Sequence, residues 1–199
     1  MKDLDRDRIA MAGLAVADEH GANGLTVRAV ARELGVTPMA LYHHVEDKTA
    51  LVALVVDRAT SERPLPEPSG SGWREELWEL ARWLRVGFHD HPATLQLRRQ
   101  YRVWSPSIFA VGDRWIAAWL QSGLPDEAAH RAARASVVAI VGVLEEEAAE
   151  PHLDPPEDPG LASAPNFEAN VNANLDSEAD FELLVRGLVD GLHARLTNS

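Results

Sequence analysis

The stretch LGVTPMALYHHVEDK, residues 34 to 48, carries stop and start signals for helices at very close spacing. Gly35 supplies a left-handed residue that ends one helix, and Thr37 with Pro38 supplies an N-cap and a first-turn proline for the next. Only about three residues therefore separate the two helices. Helices joined so tightly must cross at a steep angle that projects the second one outward, which predicts a helix-turn-helix unit.

Further helices flank this unit on both sides. Small and apolar residues at helical spacing predict an amphipathic helix over residues 3–20, which the segment Gly21 to Gly24 ends. Thr26 is placed to cap a short second helix, and Asp47 to cap a fourth over residues 48–63. The amino-terminal segment is thus predicted to be a small helical head.

Apolar residues recur at helical spacing along nearly the whole chain, while alternating strand patterns are scarce, so the predicted fold class is all-α. The Pro- and Gly-rich segment Arg63 to Gly72 predicts a boundary between a head, residues 1–63, and a carboxy-terminal domain, residues 73–199. A second Pro-rich segment covers residues 151–165. In the carboxy-terminal domain, helices are predicted over residues 73–91, 93–102, 107–123, 127–150 and 177–196.

Composition limits the classes of protein this chain can be. Its 199 residues include no cysteine, which excludes disulfides, and its apolar runs are too short for a membrane span, so we expect a cytoplasmic protein without a membrane partner. The net charge is −12, with 8 Lys and Arg against 10 Asp and Glu in residues 1–63 and 11 against 21 in the remainder. Because an acidic protein repels phosphate at long range, any DNA binding must come from a local surface of the head.

The predicted recognition helix spans residues 37–44. Leu41 and Val45 are expected to anchor it, which leaves the other side chains free to meet base edges and phosphates in a major groove. Lys48 stands at a helix N-terminus, which itself attracts phosphate. On the residues alone, other interpretations stay open: the unit could be a plain helical hairpin, and His43 or His44 could be a packing residue.

The segment TVRAVARELGVTPMALYHHVEDKTALV resembles the DNA-binding segment of the TetR family of bacterial repressors, over about residues 5 to 60. The LGV-x-P turn, the LYHHV element and the following Lys are specific in combination. Met39 and Ala40 carry few hydrogen-bonding atoms, so the operator sequence stays open. The resemblance implies a three-helix helix-turn-helix head whose DNA-binding residues are Arg28, Thr37, Pro38, Met39, Tyr42, His43, His44 and Lys48, although Arg28 could also be a solvated helix residue.

Tryptophan is confined to the carboxy-terminal domain, where all six residues lie between Trp73 and Trp119. Aromatic side chains are typical of the mostly apolar cavities that hold small ligands, although each could equally be ordinary core. The predicted effector pocket contains Trp78, Trp83, Trp104, Trp115 and Trp119.

The last two predicted helices carry an unusually broad apolar and small-residue surface. Residues 127–150 are rich in alanine, and the final helix, FELLVRGLVDGLHARL, places Gly187 and Gly191 one turn apart. Small side chains let helices approach closely, which favours pairing with a second subunit in a four-helix dimer interface. This final helix is similar to that of the TetR family, whose last two helices form such a dimer. A purely internal core is the alternative.

The resemblance implies a ligand-responsive transcriptional regulator, a repressor that binds a palindromic double-stranded DNA operator as a homodimer and is released by a small-molecule effector. No catalytic, cofactor or metal site is predicted, because no Ser-His-Asp set or phosphate loop is recognisable and His89, Asp90 and His91 lack further ligands. These three residues are interpreted as a solvated turn. Two alternatives are a ligand-binding or scaffolding helical protein without DNA binding, and a hydrolase built on the helical pocket.

Overall fold

A computed structural model describes residues 4–68, 70–149, 163, 166 and 177–198. The prediction of an all-α fold is confirmed, although most of the Pro-rich segment 151–165 lies outside the described residues. None of the helices in these ranges combines the length and apolarity needed to cross a bilayer. The helices are α1 (Arg6–Gly24), α2 (Val27–Leu34), α3 (Pro38–Tyr42), α4 (Lys48–Ser61), α5 (Trp73–Asp90), α6 (Ala93–Tyr101), α7 (Pro106–Leu120), α8 (Asp126–Ala149) and α9 (Ser177–Thr197).

The turns of the head lie at the residues that the sequence marks, although α1 continues past the predicted residue 20 to Gly24. Gly21 leaves the helical region within α1, with φ 71°, and Thr26 caps α2 by accepting a hydrogen bond from the backbone N of Ala29 at 3.0 Å. Gly35 is left-handed, with φ 66°, and its N–H donates to the last carbonyls of α2. Asp47 caps α4, accepting from the backbone N of Ala50 at 2.8 Å. Local capping chemistry therefore fixes the short turns of the head.

The core of the head depends on a close approach between α1 and α4. A Cβ atom added to Gly13 would lie 2.5 Å from Cγ2 of Val55, so only glycine fits between these helices. Helix α6 completes the same core with Ala93 and Leu97, both buried. The head thus rests directly on an element that follows the predicted boundary.

A second core joins α5, α7, α8 and α9. Its centre holds a buried hydroxyl, Ser136 of α8, which accepts hydrogen bonds from Nε1 of Trp115 at 3.1 Å and from Nε1 of Trp119 at 3.0 Å. The same hydroxyl donates to the carbonyl of Ala132 at 2.7 Å. Each polar atom buried here has a partner, so the cluster fixes α7 on α8 without an unpaired group.

The turn between α5 and α6 ties the two cores together. His91 places Nδ1 at 2.9 Å from Oδ2 of Asp18 in α1 and Nε2 at 3.0 Å from Oε2 of Glu62, which follows α4. Asp90 pairs with Arg63, and Nε2 of His89 lies 3.3 Å from Glu147. The interpretation as a solvated turn is therefore wrong for His91, because its side chain is mostly buried between partners far away in sequence.

Candidate functional site

Helix α3 is anchored on one side and open on the other. Leu41 and Val45 are buried, and Thr37 Oγ1 accepts from the backbone N of Ala40 at 3.3 Å. Met39 and Tyr42, in contrast, are 68% and 50% exposed. A rigidly held helix that exposes large side chains is typical of a recognition surface rather than of a helical hairpin inside a core.

The remaining predicted DNA-binding residues lie around this exposed face. Thr37, Pro38 and His43 are exposed, as is Arg28 on α2. His44 is half-buried, and its backbone N donates to the carbonyl of Leu41 at 2.8 Å. The structure thus exposes Thr37, Pro38, His43 and Arg28 to solvent and leaves His44 half-buried, while their contacts with DNA stay a prediction.

Lys48 begins α4 beside the recognition helix. Its ammonium lies 5.2 Å from the ring centroid of Tyr101 at the end of α6. Such a cation–π contact holds the side chain while its three donors stay able to reach a phosphate. The contact also connects the first residue of α4 in the head with the last residue of α6 in the carboxy-terminal domain.

A second connection runs from α4 to the beginning of α7. The carboxylate of Asp57 accepts from Oγ of Ser107 at 2.6 Å and from the backbone N of Ser107 at 3.1 Å. Burial alone would raise the pKa of Asp57, but the hydrogen bonds from Ser107 and Ser105 outweigh it, so the pKa is lowered from its ordinary value of 3.8. Ionised Asp57 therefore holds the N-terminus of α7 against α4.

This carboxylate predicts a pH-dependent contribution to stability. Because its pKa is lowered in the fold, the contribution is present above pH 3.8 and is lost as the pH falls through the folded-state value. We expect Ser107→Ala to reduce the free energy of unfolding at neutral pH by about 1 kcal/mol, after screening by solvent, and the deficit to shrink in acid. Urea unfolding at several pH values measures this, and a deficit unchanged by pH would contradict it.

A cavity of about 400 Å³ lies between α4, α5, α6, α7 and α8. It is predominantly apolar, as is usual for small-molecule sites. Trp104 and Trp115 line it, and so does Ile108, one residue beyond the Asp57 contact. The full lining is Val56, Thr60, Leu84, Phe88, Thr94, Arg98, Trp104, Ile108, Val111, Gly112, Trp115, Ile116, His130, Ala133, Arg134 and Val137.

Three of the five predicted pocket tryptophans are not among the residues that line this cavity. Trp78 packs on Phe181 with a centroid distance of 6.0 Å, and Trp119 is fully buried in the second core. Trp83 donates from Nε1 to the carbonyl of Pro64 at 3.0 Å and lines a smaller cavity of about 220 Å³. Sequence reasoning could not separate core from pocket among these residues, since helical spacing alone does not say which neighbour each ring meets.

The same reasoning missed the cations of the cavity, namely Arg98, His130 and Arg134. Arg98 lies on α6 and the other two on α8, so no short motif unites them. His130 and Arg134 lie one turn apart on α8, and this spacing was the only sequence pattern that could have indicated a shared site. On a helix with many acidic residues, however, such a pair of cations is typical of a solvent-exposed face.

The last two helices expose apolar and small side chains along one face each. On α9, Leu183 is 74% exposed, and Gly187 and Gly191 follow on the same side with open space around them. On α8, Val138 and Gly142 are likewise exposed. An exposed large leucine beside such small residues offers a smooth apolar surface, which is characteristic of an interface between helices.

Comparison with known proteins matches both parts of the chain. The family described as "Bacterial regulatory proteins, tetR family" matches residues 9–55, and the one described as "Tetracyclin repressor-like, C-terminal domain" matches residues 65–196. The chain belongs to the TetR family. The resemblance carried by the helix-turn-helix segment is thereby confirmed, and the protein is a TetR-family regulator with a helix-turn-helix head and a helical carboxy-terminal domain.

Named TetR-family relatives resemble the chain in part or in whole. The repressor DrrR1 of Streptomyces coeruleorubidus is 33% identical over 126 residues, which are 62% of this chain and 46% of the relative. The match thus spans about half of that relative's length. Among solved structures, apo ActR from Streptomyces coelicolor covers 100% of this chain and 99% of its own, with 26% identity and a TM-score of 0.81.

Two further structures of TetR-family proteins were solved with partners. ActR in complex with actinorhodin is 27% identical and has a TM-score of 0.80 over 98% of each chain. BioQ bound to its natural double-stranded DNA operator is 26% identical, with a TM-score of 0.73 over 96% of this chain and 99% of its own. The fold is therefore shared with proteins captured on a small molecule and on DNA.

Proposed function

We propose that this TetR-family protein is a repressor that binds a palindromic DNA operator as a homodimer and is released by a small-molecule effector. The observation that carries the proposal is α3, which is anchored by a buried leucine and exposes Met39 and Tyr42 to solvent. It acts by binding and not by catalysis, and a DNA partner sets its place of action in the cytoplasm.

Dimerisation would arise from the exposed faces of α8 and α9. Two copies related by a two-fold axis bring these faces together as a four-helix interface. The recognition helices must then stand about 34 to 36 Å apart, one turn of DNA, to reach both halves of a palindrome. Because the net charge of −12 opposes non-specific binding, this geometric match is what selects the operator.

Release would pass from the cavity to the head through α7 and α4. Ile108 contacts the cavity, the neighbouring Ser107 holds Asp57 of α4, and α4 begins at Lys48 beside α3. A ligand that shifts α7 therefore displaces α4 and changes the spacing of the two heads. Couplings of about 1 to 3 kcal/mol, or about 5- to 150-fold in affinity, are usual for such devices.

Selection of bound fragments from random duplexes tests the proposal. We expect the full-length protein to enrich a palindrome whose half-sites lie about one helical turn apart. Enrichment of no sequence, with a folded protein, would contradict DNA binding and would favour the ligand-binding or scaffolding alternative.

The salt dependence of operator binding checks the role of Lys48. Each phosphate contact contributes about 0.9 to the slope of log affinity against log salt, and a dimer carries two copies. We expect Lys48→Ala to reduce the slope by about 2, whereas Arg82→Ala, an exposed cation on α5, should leave it unchanged. An equal slope for Lys48→Ala and wild type would remove Lys48 from the interface.

A further inference from the structure

We propose that the cavity between α4 and α8 selects an aromatic anion, with the ring system against Trp104 and Trp115 and the acidic group at Arg98. This inference rests on the proposed function in one respect, since it takes the same cavity as the effector site. It adds the chemical class of the ligand.

The apolar part of the cavity suits a planar ring system. Trp115 forms part of the wall, and its indole is held by Ser136. Trp104 is exposed at the mouth and stacks on Phe109, with ring centroids 5.8 Å apart and planes 4° from parallel. A stacked aromatic pair at the opening of a cavity offers a flat surface on which the aromatic ring of a ligand can stack.

The charges that line the cavity all have one sign. Arg98, Arg134 and, when protonated, His130 are cations, and the lining includes no Asp or Glu among the residues that the structure describes. In a protein of net charge −12, a cavity with this bias stands out from its surroundings. Such a lining favours an anion over a neutral or cationic ligand of the same shape.

Arg98 is the more buried of the two arginines that line this cavity. Burial lowers its pKa, and the more distant charge of Glu145 only partly opposes this effect. Glu145 instead lies 3.4 Å from Nη1 of the neighbouring Arg99. Within the described ranges, no carboxylate stands within salt-bridge distance of Arg98.

Arg98 is half-buried, and the more deeply buried guanidinium group of Arg85 differs from it in having carboxylate partners. Arg85, which is buried in the second core, forms two ion pairs: Nε lies 3.0 Å from Oε2 of Glu147, and Nη1 lies 2.7 Å from Oε2 of Glu178. Buried charges are normally paired in this way, because an unpaired one is costly. Because Arg98 is less buried and lines the cavity, an anionic ligand there can take the place that the carboxylates take at Arg85.

Arg98 also marks a junction. It borders a second cavity of about 420 Å³, which Trp104 shares and which Arg99, Arg102 and Glu145 line as well. A carboxylate or sulfonate at Arg98 would therefore sit where the apolar space ends and a space lined by three arginines and one glutamate begins. The ligand is oriented with its rings inward and its charge toward α6.

Two fluorescent dyes of nearly equal shape test the inference on the full-length protein. Anilinonaphthalene sulfonate is an anion, and N-phenylnaphthylamine is its neutral counterpart. We expect the wild type to bind the anionic dye about tenfold or more tightly than the neutral one. Trp104→Ala should weaken both dyes, which assigns them to this cavity, and a Trp104→Ala variant with unchanged affinity for both would overturn the proposal.

Arg98→Met keeps an unbranched apolar stem but removes the guanidinium group and its charge. We expect it to lose about 10- to 100-fold in affinity for the anionic dye and less than about threefold for the neutral one. Arg82→Met, on α5 but outside the cavity, is the matched control for net charge and should keep the wild-type ratio. An anion preference that survives Arg98→Met, or a wild type that prefers the neutral dye, would overturn the proposal.

Operator binding is measured by anisotropy on the same samples, so the two failures are distinguishable. If the protein binds its operator normally but shows no preference for the anionic dye, only the proposed ligand class is wrong. If the protein prefers the anionic dye but selects no operator, the proposed repressor function is wrong and the proposed ligand class is retained.

Discussion

Replacing Leu183 by glutamate is expected to convert a dimer into monomers and to weaken operator binding by about 100-fold or more. Leu183 is 74% exposed on the face of α9 that carries Gly187 and Gly191. In a two-fold interface each substitution occurs twice, and a buried, unpaired carboxylate costs several kcal/mol. A single head retains only one half-site, so the gain from simultaneous binding disappears.

Light scattering at micromolar concentration and anisotropy with the selected operator measure these two effects. Val86→Glu is the matched control, since it adds the same charge at an exposed apolar residue of α5, which lies near Glu178 in the first turn of α9 but outside the face that carries Leu183. The control should stay dimeric and bind normally. A dimeric Leu183→Glu variant would show that the exposed face of α9 is not the subunit interface.

Replacing Tyr42 by alanine is expected to lower operator affinity by about 30-fold to 20,000-fold. A direct contact to DNA is worth about 1 to 3 kcal/mol, and the dimer would lose two of them. Each 1.4 kcal/mol is about tenfold in affinity, which gives the range stated. Because the ring of Tyr42 is half exposed, the loss should come without unfolding, and the melting temperature should stay within about 2 °C of the wild type.

Met11→Ala provides the comparison for this experiment. Met11 and Tyr42 are both 50% exposed in the head, but Met11 lies on α1. We expect Met11→Ala to change the operator affinity by less than about threefold. Equal losses for the two variants would point to a general weakening of the head and would remove the specific role of Tyr42.

Local chemistry made the head predictable from its sequence. Gly35 needs a left-handed backbone, and Thr37 and Asp47 need nearby N–H groups, so each signal is satisfied within a few residues. The predicted caps of α2, α3 and α4 therefore agree with the structure, whereas α3 and α4 each end two residues before the predicted position. Exposure of α3 also follows, but which of its atoms touch DNA depends on the partner and stays a prediction.

The pocket was less predictable because its walls come from distant parts of the chain. Arg98 of α6 and Arg134 of α8 meet across the cavity only after both cores have formed. Trp104 and Trp119 look alike in sequence, yet one lies at the mouth and the other in the core. The bridge from His91 to Asp18 likewise spans 73 residues, which no local pattern encodes.

The packing of α6 against the head has a consequence for cooperativity. Ala93 and Leu97 of α6 complete the apolar core formed by α1 and α4. A fragment that ends before Gly72 would lack α6 and would expose this core to water. Head and body should consequently melt in one calorimetric transition, although they are separate stretches of sequence. Any displacement of α6 would then change the packing in the core of the head, because α6 belongs to the carboxy-terminal domain in sequence but contributes side chains to that core.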